Sequence, residues 1–160
     1  MYSIHRLKLW NIGKLWKVSD ILYMCGKNMA HRYNLHHWDN SRIKSCIIVL
    51  ICALKNRIYL VYNGSDAIAT FQTRKTGQFL LFQKLATMPT AAGKGIGTFC
   101  LNQICLIAQN ENCSEVVCEV YDQSKHAIDF YLHRGFIKYG ESKTVKYREF
   151  RLKKELCVHK

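Results

Sequence analysis

The run 79–87 is apolar on both of its alternating faces and ends in Leu85-Ala86-Thr87, with Met88-Pro89 after it; a few residues later Gly93-Lys94-Gly95-Ile96-Gly97-Thr98 opens a segment of helical periodicity. A strand feeding a glycine-rich turn that starts a helix constrains this chain more than any other feature. Glycines leave backbone N–H groups unshielded and allow positive φ, so several donors can converge on one anion. The helix behind the turn adds its unpaired first-turn N–H groups and the positive end of its dipole. Two familiar phosphate loops do not fit. A P-loop requires glycine at 88 and Ser or Thr at 95, where this chain has Met88 and Gly95; the dinucleotide fingerprint requires glycine at 98, which is Thr98.

The loop Ala92-Gly93-Lys94-Gly95-Ile96-Gly97 resembles that of the GNAT superfamily of acyl-CoA-dependent N-acetyltransferases, Gln/Arg-x-x-Gly-x-Gly/Ala after a Leu-Ala-Val-x-Pro-like strand end, with Ala92 at the usually polar first position. Downstream, Ser124-x-x-Ala127-x-x-Phe130-Tyr131-x-x-x-Gly135-Phe136 is similar to the family's Asn-x-x-Ala-x-x-Phe-Tyr-x-x-x-Gly-Phe, with Ser124 in place of asparagine. Two motifs in the right order are far more specific than either alone, and the resemblance extends from about residue 58 to the C-terminus. It implies a mixed α/β sheet with splayed parallel central strands and helices on both faces, and acetyl-CoA as cosubstrate.

At 160 residues with 49% hydrophobic content and one proline, the chain fits a single domain, 1–160, with one core. No fixed-period repeat or Gly/Ser-rich linker divides it. The N-terminus carries scattered charges and lacks the apolar stretch of a signal peptide. The longest apolar run, 46–54, is about half of the ~20 residues a bilayer span needs. A cytoplasmic protein with no membrane partner is expected. The eight cysteines contain no Cys-x-x-Cys pair and fall mostly in apolar periodic segments, so they read as buried reduced thiols. No metal is expected, since His31, His36 and His37 lack the i,i+4 spacing of a zinc site.

The net charge of +13 points to an anionic partner: nucleic acid, an acidic membrane or an anionic ligand. Lys and Arg are dispersed except for Lys143, Lys146, Arg148, Arg151, Lys153 and Lys154, whose alternation suits a strand with one solvated face. No nucleic-acid module accompanies the charge, so no specific nucleic-acid partner is expected. The phosphates of coenzyme A supply one acidic partner.

Hydrophobic periodicity predicts a strand at 2–9 and a helix at 12–30 with Leu15, Val18, Leu22, Cys25 and Met29 in line. A polar and aromatic segment follows at 31–40. Ser41 caps a second helix with the stripe Ile43, Ile47, Leu50, Ile51 and Leu54. Strands at 58–62 and 67–73 join across Asn63-Gly64, a hairpin signal, and 79–87 reads as a central strand. Beyond the loop come a helix at 98–110 with Leu101, Ile104, Cys105 and Ala108 inward, a strand at 115–121, a helix at 124–134, and strands near 136–141 and 145–152. Strand, helix, strand through the loop implies a parallel crossover, and the early hairpins imply antiparallel neighbours.

Ligands enter α/β sheets at the C-terminal ends of parallel strands. The resemblance implies that Ala92, Gly93, Lys94, Gly95, Ile96, Gly97, Thr98 and Ser124 hold the coenzyme, and that backbone groups of Leu85, Ala86 and Thr87 pair with its pantetheine arm. It makes Tyr131 the acid that protonates the departing thiolate; on periodicity alone Tyr131 could equally be a core aromatic. For the base, Glu119 is the best-placed carboxylate, with relayed water and a purely structural role for Glu119 both open. The segment 28–38, substrate-facing in the family, offers Tyr33, His37 and Trp38 to the acceptor. Its cationic character favours an amine bearing a negative group. An acetyl-CoA-dependent N-acetyltransferase acting by direct transfer, as monomer or homodimer, is the first reading. A non-catalytic acyl-CoA-binding module is the alternative, suggested by Ala92, Ser124 and the missing base. A nucleic-acid binder rests on charge alone.

Overall fold

A computed structural model describes residues 1–8, 10–143 and 147–156. In chain order the elements are β1 (Tyr2–Arg6), α1 (Ile12–Tyr33), α2 (Arg42–Lys55), β2 (Arg57–Asn63), β3 (Asp66–Thr76), β4 (Phe79–Thr87), a 3-10 turn (Pro89–Ala91), α3 (Ile96–Asn110), β5 (Glu115–Tyr121), α4 (Lys125–Leu132), β6 (Ile137–Lys143) and β7 (Arg148–Glu155). The expected mixed α/β sheet is present, with seven strands among the described residues. The parts of the sequence expectations that fall on Leu9, Val145, Lys146 and Cys157 lie outside the described residues.

The chain groups into two compact units, residues 1–74 with 84–102, and residues 75–83 with 103–160. In the first, the strands lie in the order β1-β2-β3-β4, with antiparallel pairing of β1 with β2 and of β2 with β3. The hairpin turn is Gly64-Ser65, one residue beyond the position expected from Asn63-Gly64, because Asn63 pairs with Asp66. Gly64 has φ +61°, so glycine stands at the first loop position, as a primed turn requires. In the second unit the order is β4-β5-β7-β6; the parallel ladder pairs Phe79, Leu80 and Leu81 with Glu115, Val116 and Val117, and β7 pairs antiparallel with β5 and β6.

The core of the first unit joins Leu15, Val18, Ile21 and Leu22 of α1, Val49 of α2, Ile58 and Leu60 of β2, and Ala86 of β4. Asn11 caps α1 by accepting the Lys14 N–H at 3.2 Å. The helix runs three residues past the expected end because Asn34 takes the left-handed conformation at φ +54°, its N–H returning to Ala30, with buried Leu35 behind it. Ser41 caps α2 as expected, accepting from Lys44 N–H. The face that α2 buries is not its apolar stripe. Ser45 and Val49 are buried, whereas Ile43, Ile47, Leu50, Ile51 and Leu54 are exposed. The apolar stripe therefore points outward, and the helix packs through a narrow face of small and β-branched residues.

Gly26 is where the segment after α1 folds back onto the helix. A Cβ built there would lie 2.1 Å from the Trp38 carbonyl oxygen, a contact that backbone cannot relieve by rotating a side chain. Gly13, near the start of the same helix, has nothing within 4 Å. Gly26→Ala is therefore expected to destabilise the protein by about 1–3 kcal/mol, the usual cost of overpacking. Gly13→Ala should stabilise it by about 0.5 kcal/mol through lower chain entropy in the unfolded state. Urea titration of both variants checks the opposite signs; equal and small effects would mean that the contact with Trp38 does not hold the segment.

Candidate functional site

The glycine loop takes a conformation suited to an anion. Gly93 has φ +78° and Gly95 φ +74°, with Lys94 between them on the ordinary side of the map. Alternating backbone handedness turns successive N–H groups toward a common point, a nest. Neither glycine is crowded on its Cβ side, where a Cβ would meet nothing within 4 Å. The first helical bond of α3 runs from Phe99 N–H to Gly95 O at 3.0 Å, and the N–H groups of Gly93, Lys94, Gly95, Ile96 and Gly97 find no protein acceptor among the described residues. Thr98 follows within the first turn of α3, and buried Ile96 anchors that turn. Ala92 differs from its neighbours, since its N–H closes the preceding 3-10 turn on Pro89 O at 3.2 Å. The Lys94 ammonium reaches back to Thr90 O at 3.4 Å.

Tyr2 braces the loop from β1, its hydroxyl donating to Lys94 O at 3.4 Å and its ring meeting Phe99 edge-on at 5.4 Å. Nothing in the sequence signals this partnership across more than ninety positions, which only strand pairing creates.

The end of β4 is irregular in a way that residue types do not reveal. Lys84 has φ +50°, uncommon for a non-glycine residue and a site of local backbone strain within the strand. Its ammonium lies 5.5 Å from the Trp38 ring centre, a cation–π contact that links β4 to the segment after α1. Leu85, Ala86 and Thr87 follow, with Ala86 buried in the core and Leu85 and Thr87 half-buried. Cys25 of α1 makes a hydrogen bond with the Thr87 backbone, and burial, outweighing that bond, pushes its thiol up to about 11. At neutral pH it stays protonated and is a poor nucleophile. The regular spacing of Cys25 marked it as inward-facing, but its place beside Thr87 needed the fold.

Of the three expected acceptor-side residues, the structure brings Trp38 to β4 through Lys84 and to α1 through Gly26. His37 is next to it, ring centres 5.9 Å apart. Tyr33 lies at the exposed C-terminal end of α1 with the Arg32 guanidinium over its ring at 5.8 Å. Asp39, the acid of this segment, is engaged by Lys27 at 2.6 Å and by His36 at 3.3 Å; the hydrogen bond from Lys27 is the main cause holding its carboxyl below the usual range.

In the second unit Tyr131 of α4 is buried, its ring 5.7 Å from Phe82, 5.1 Å from Phe130 and 5.4 Å from Phe136. Aromatic packing fixes the ring, as the core reading of this residue requires. Ser124 is buried at the N-cap of α4, where its side chain makes no capping bond. Glu119 faces Arg151 across the β5–β7 ladder and accepts from its Nε at 3.2 Å. Among the described residues no group of His, Cys, Asp and Glu has the arrangement of a metal site.

The family model "Acetyltransferase (GNAT) family" matches residues 27–136. The PaiA N-acetyltransferase of Thermoplasma acidophilum, solved with coenzyme A, is similar in fold with a TM-score of 0.76 at 16% identity, covering 98% of this chain and 99% of that one. The ribosomal-protein-S18-alanine N-acetyltransferase of Escherichia coli gives 0.72 at 13% identity, over 97% and 94%. A GNAT family acetyltransferase of Elizabethkingia anophelis with acetyl-CoA bound gives 0.73 at 14%, over 97% and 98%. No curated protein matches the chain in sequence. With the family model covering well over half of its length, this protein belongs to the GNAT acetyltransferase family.

Proposed function

We propose that the protein transfers the acetyl group of acetyl-CoA directly to a primary amine that carries a negative charge of its own, a small molecule or a peptide N-terminus, in the cytoplasm. The observation that carries this reading is the pair of left-handed glycines, 93 and 95, among backbone N–H groups that have no acceptor among the described residues, at the start of α3. The coenzyme pyrophosphate is assigned to the donors of Gly93, Lys94, Gly95, Ile96 and Gly97, with Thr98 and Ser124 flanking it and Ala92 contributing only its methyl surface. Leu85, Ala86 and Thr87 are assigned to the pantetheine arm, with a backbone N–H polarising the thioester carbonyl. Amine nitrogen attacks that carbonyl carbon, the C–S bond breaks, the coenzyme thiolate takes the Tyr131 phenolic proton, and solvent, which receives the amine proton, returns one to the phenolate. The unreactive Cys25 thiol favours this single displacement over an acyl-enzyme at that position. Because one Glu119 oxygen already accepts from Arg151, amine deprotonation is assigned to water, with Glu119 acting at most through it.

Tyr33, His37 and Trp38 are assigned to the acceptor. Residues 1–74 with 84–102 carry thirteen Lys and Arg against three Asp, and two of those, Asp20 and Asp39, are in ion pairs. Such a field attracts an anionic amine and repels a polyamine. The seven described cysteines are all free thiols, in keeping with a reducing compartment.

Coenzyme A should raise the melting temperature. At a concentration about a hundredfold above Kd the gain is about 2.7 kcal/mol, a shift of several degrees for a chain of this size. Gly95→Asp should abolish the shift by setting a carboxylate where phosphate binds, while Gly95→Asn, which tolerates positive φ without charge, should keep part of it. Absence of any shift in the parent at millimolar coenzyme would remove the coenzyme site.

Tyr131→Phe keeps the aromatic packing and removes the proton donor. Turnover, followed as thiol release with a panel of anionic amines and peptide N-termini, should fall by about 10²-fold with calorimetric acetyl-CoA affinity unchanged. Equal turnover in both proteins would take Tyr131 out of the chemistry. The Glu119–Arg151 pair, which leaves no carboxylate clearly free for base work, favours one other reading, a non-catalytic acyl-CoA binder. That reading predicts coenzyme binding with no thiol release from the parent.

A further inference from the structure

The outward stripe of α2 is unexplained by the fold or by acetyl transfer. Ile43, Ile47, Leu50, Ile51 and Leu54 recur at helical spacing and are 51% to 77% exposed. Nearby on α1, Ile12 and Trp16 are exposed, as is Trp10 just before it. Ser19 Oγ lies 3.1 Å from Cys46 Sγ, and Asp20 pairs with Arg42, so the two helices run antiparallel. One turn back from Ser19 brings Trp16 level with Leu50, and a further turn brings Ile12 level with Ala53 and Leu54. The exposed apolar residues at the start of α1 thus lie level with the C-terminal half of the α2 stripe.

Charge around this face is basic, apart from Asp20, which Arg42 engages. α2 contains no acidic residue, and its exposed Lys44 and Lys55, eleven positions apart, lie on the same flank of the stripe. Lys8 and Lys17 are exposed beside Trp10 and Trp16. A second copy would bring the same basic flank against itself. An anionic bilayer presents both complements: lipid chains for isoleucine and leucine, and negative headgroups for lysine. Tryptophan is enriched at that boundary, and lysine stems reach from it into the headgroup layer.

We propose that the outward face of α2, with Trp10, Ile12 and Trp16, docks the protein on the surface of a membrane rich in anionic phospholipid. Docking is peripheral, since among the described residues no helix is long and apolar enough to cross a membrane. The sequence expectation of no membrane partner rested on the lack of an apolar run long enough to cross a bilayer, a length that surface docking does not need.

Co-sedimentation of the full chain with phosphatidylcholine vesicles and with mixed phosphatidylcholine–phosphatidylserine vesicles tests the proposal. Binding to the mixed vesicles should exceed binding to the neutral ones by tenfold or more and weaken as salt is raised. The double variant Ile47→Gln, Leu50→Gln keeps helix propensity and changes only exposed positions; it should lose binding by at least tenfold. Lys44→Glu with Lys55→Glu should weaken it by about fivefold or more per charge. Unchanged melting curves confirm that both variants fold. A parent that stays in the supernatant with mixed vesicles, or pellets equally with both lipids, overturns the proposal. So does a glutamine variant that binds like the parent. Sedimentation equilibrium showing a parent dimer that the glutamine variant dissolves would give the face to a second copy, and RNA binding lost in that variant would give it to nucleic acid; either result replaces the membrane.

Discussion

Backbone N–H groups that the fold leaves without partners, at the junction of β4 and α3, are the constraint around which the first unit is arranged. Unpaired donors are costly unless water or a ligand reaches them, so the loop must be open on that side and rigid on every other. Rigidity comes from several directions. The 3-10 turn Pro89–Ala91 sets the approach, Ile96 seats the first turn of α3 in the core, and Tyr2 holds Lys94 from β1. Only glycine supplies the handedness at 93 and 95 without strain, which is why their side chains are absent where an anion would lie.

A second close approach shapes the neighbourhood of β4. The missing side chain of Gly26 admits the Trp38 carbonyl, Trp38 in turn offers its ring to Lys84, and Lys84 sits at the strained point of the strand. Cys25, adjacent to Gly26, then meets the Thr87 backbone. One glycine in a helix thereby couples the polar segment after α1 to the strand end assigned to the acyl group, and connects packing energy to the geometry of the proposed transfer. The left-handed Lys84 is the kind of strain that folded structures keep at sites with a function.

The two units divide the charge unevenly. Residues 1–74 with 84–102 hold three of the chain's eleven acidic residues, whereas the other unit holds eight. In the second unit cross-strand pairs such as Glu119 with Arg151 and Glu115 with Lys153 neutralise much of the basic C-terminal segment. Ten of the thirteen excess positive charges therefore lie in the first unit, spread over its helices and strands rather than concentrated in one segment.

The glycine loop, the motif around Tyr131 and the order of strands and helices were legible in the sequence because each is a local pattern: residue type sets φ, and periodicity sets which residues share a face. Helix ends moved by two or three residues where a cap decided them, as Asn34 did for α1. What periodicity could not choose is which of two faces turns inward. On α2 it identified Ile43, Ile47, Leu50, Ile51 and Leu54 as one stripe, yet the opposite face, with Ser45 and Val49, is the one that is buried. The same holds for Glu119, whose partner Arg151 is set by strand register, and for Tyr2 and Lys84, whose roles arise from contacts or strain that residue identity does not encode. Local sequence patterns were enough to tell which segments are helix, strand and glycine-rich loop; their facing and their partners came from tertiary packing, because those depend on shape matched between residues far apart in the chain.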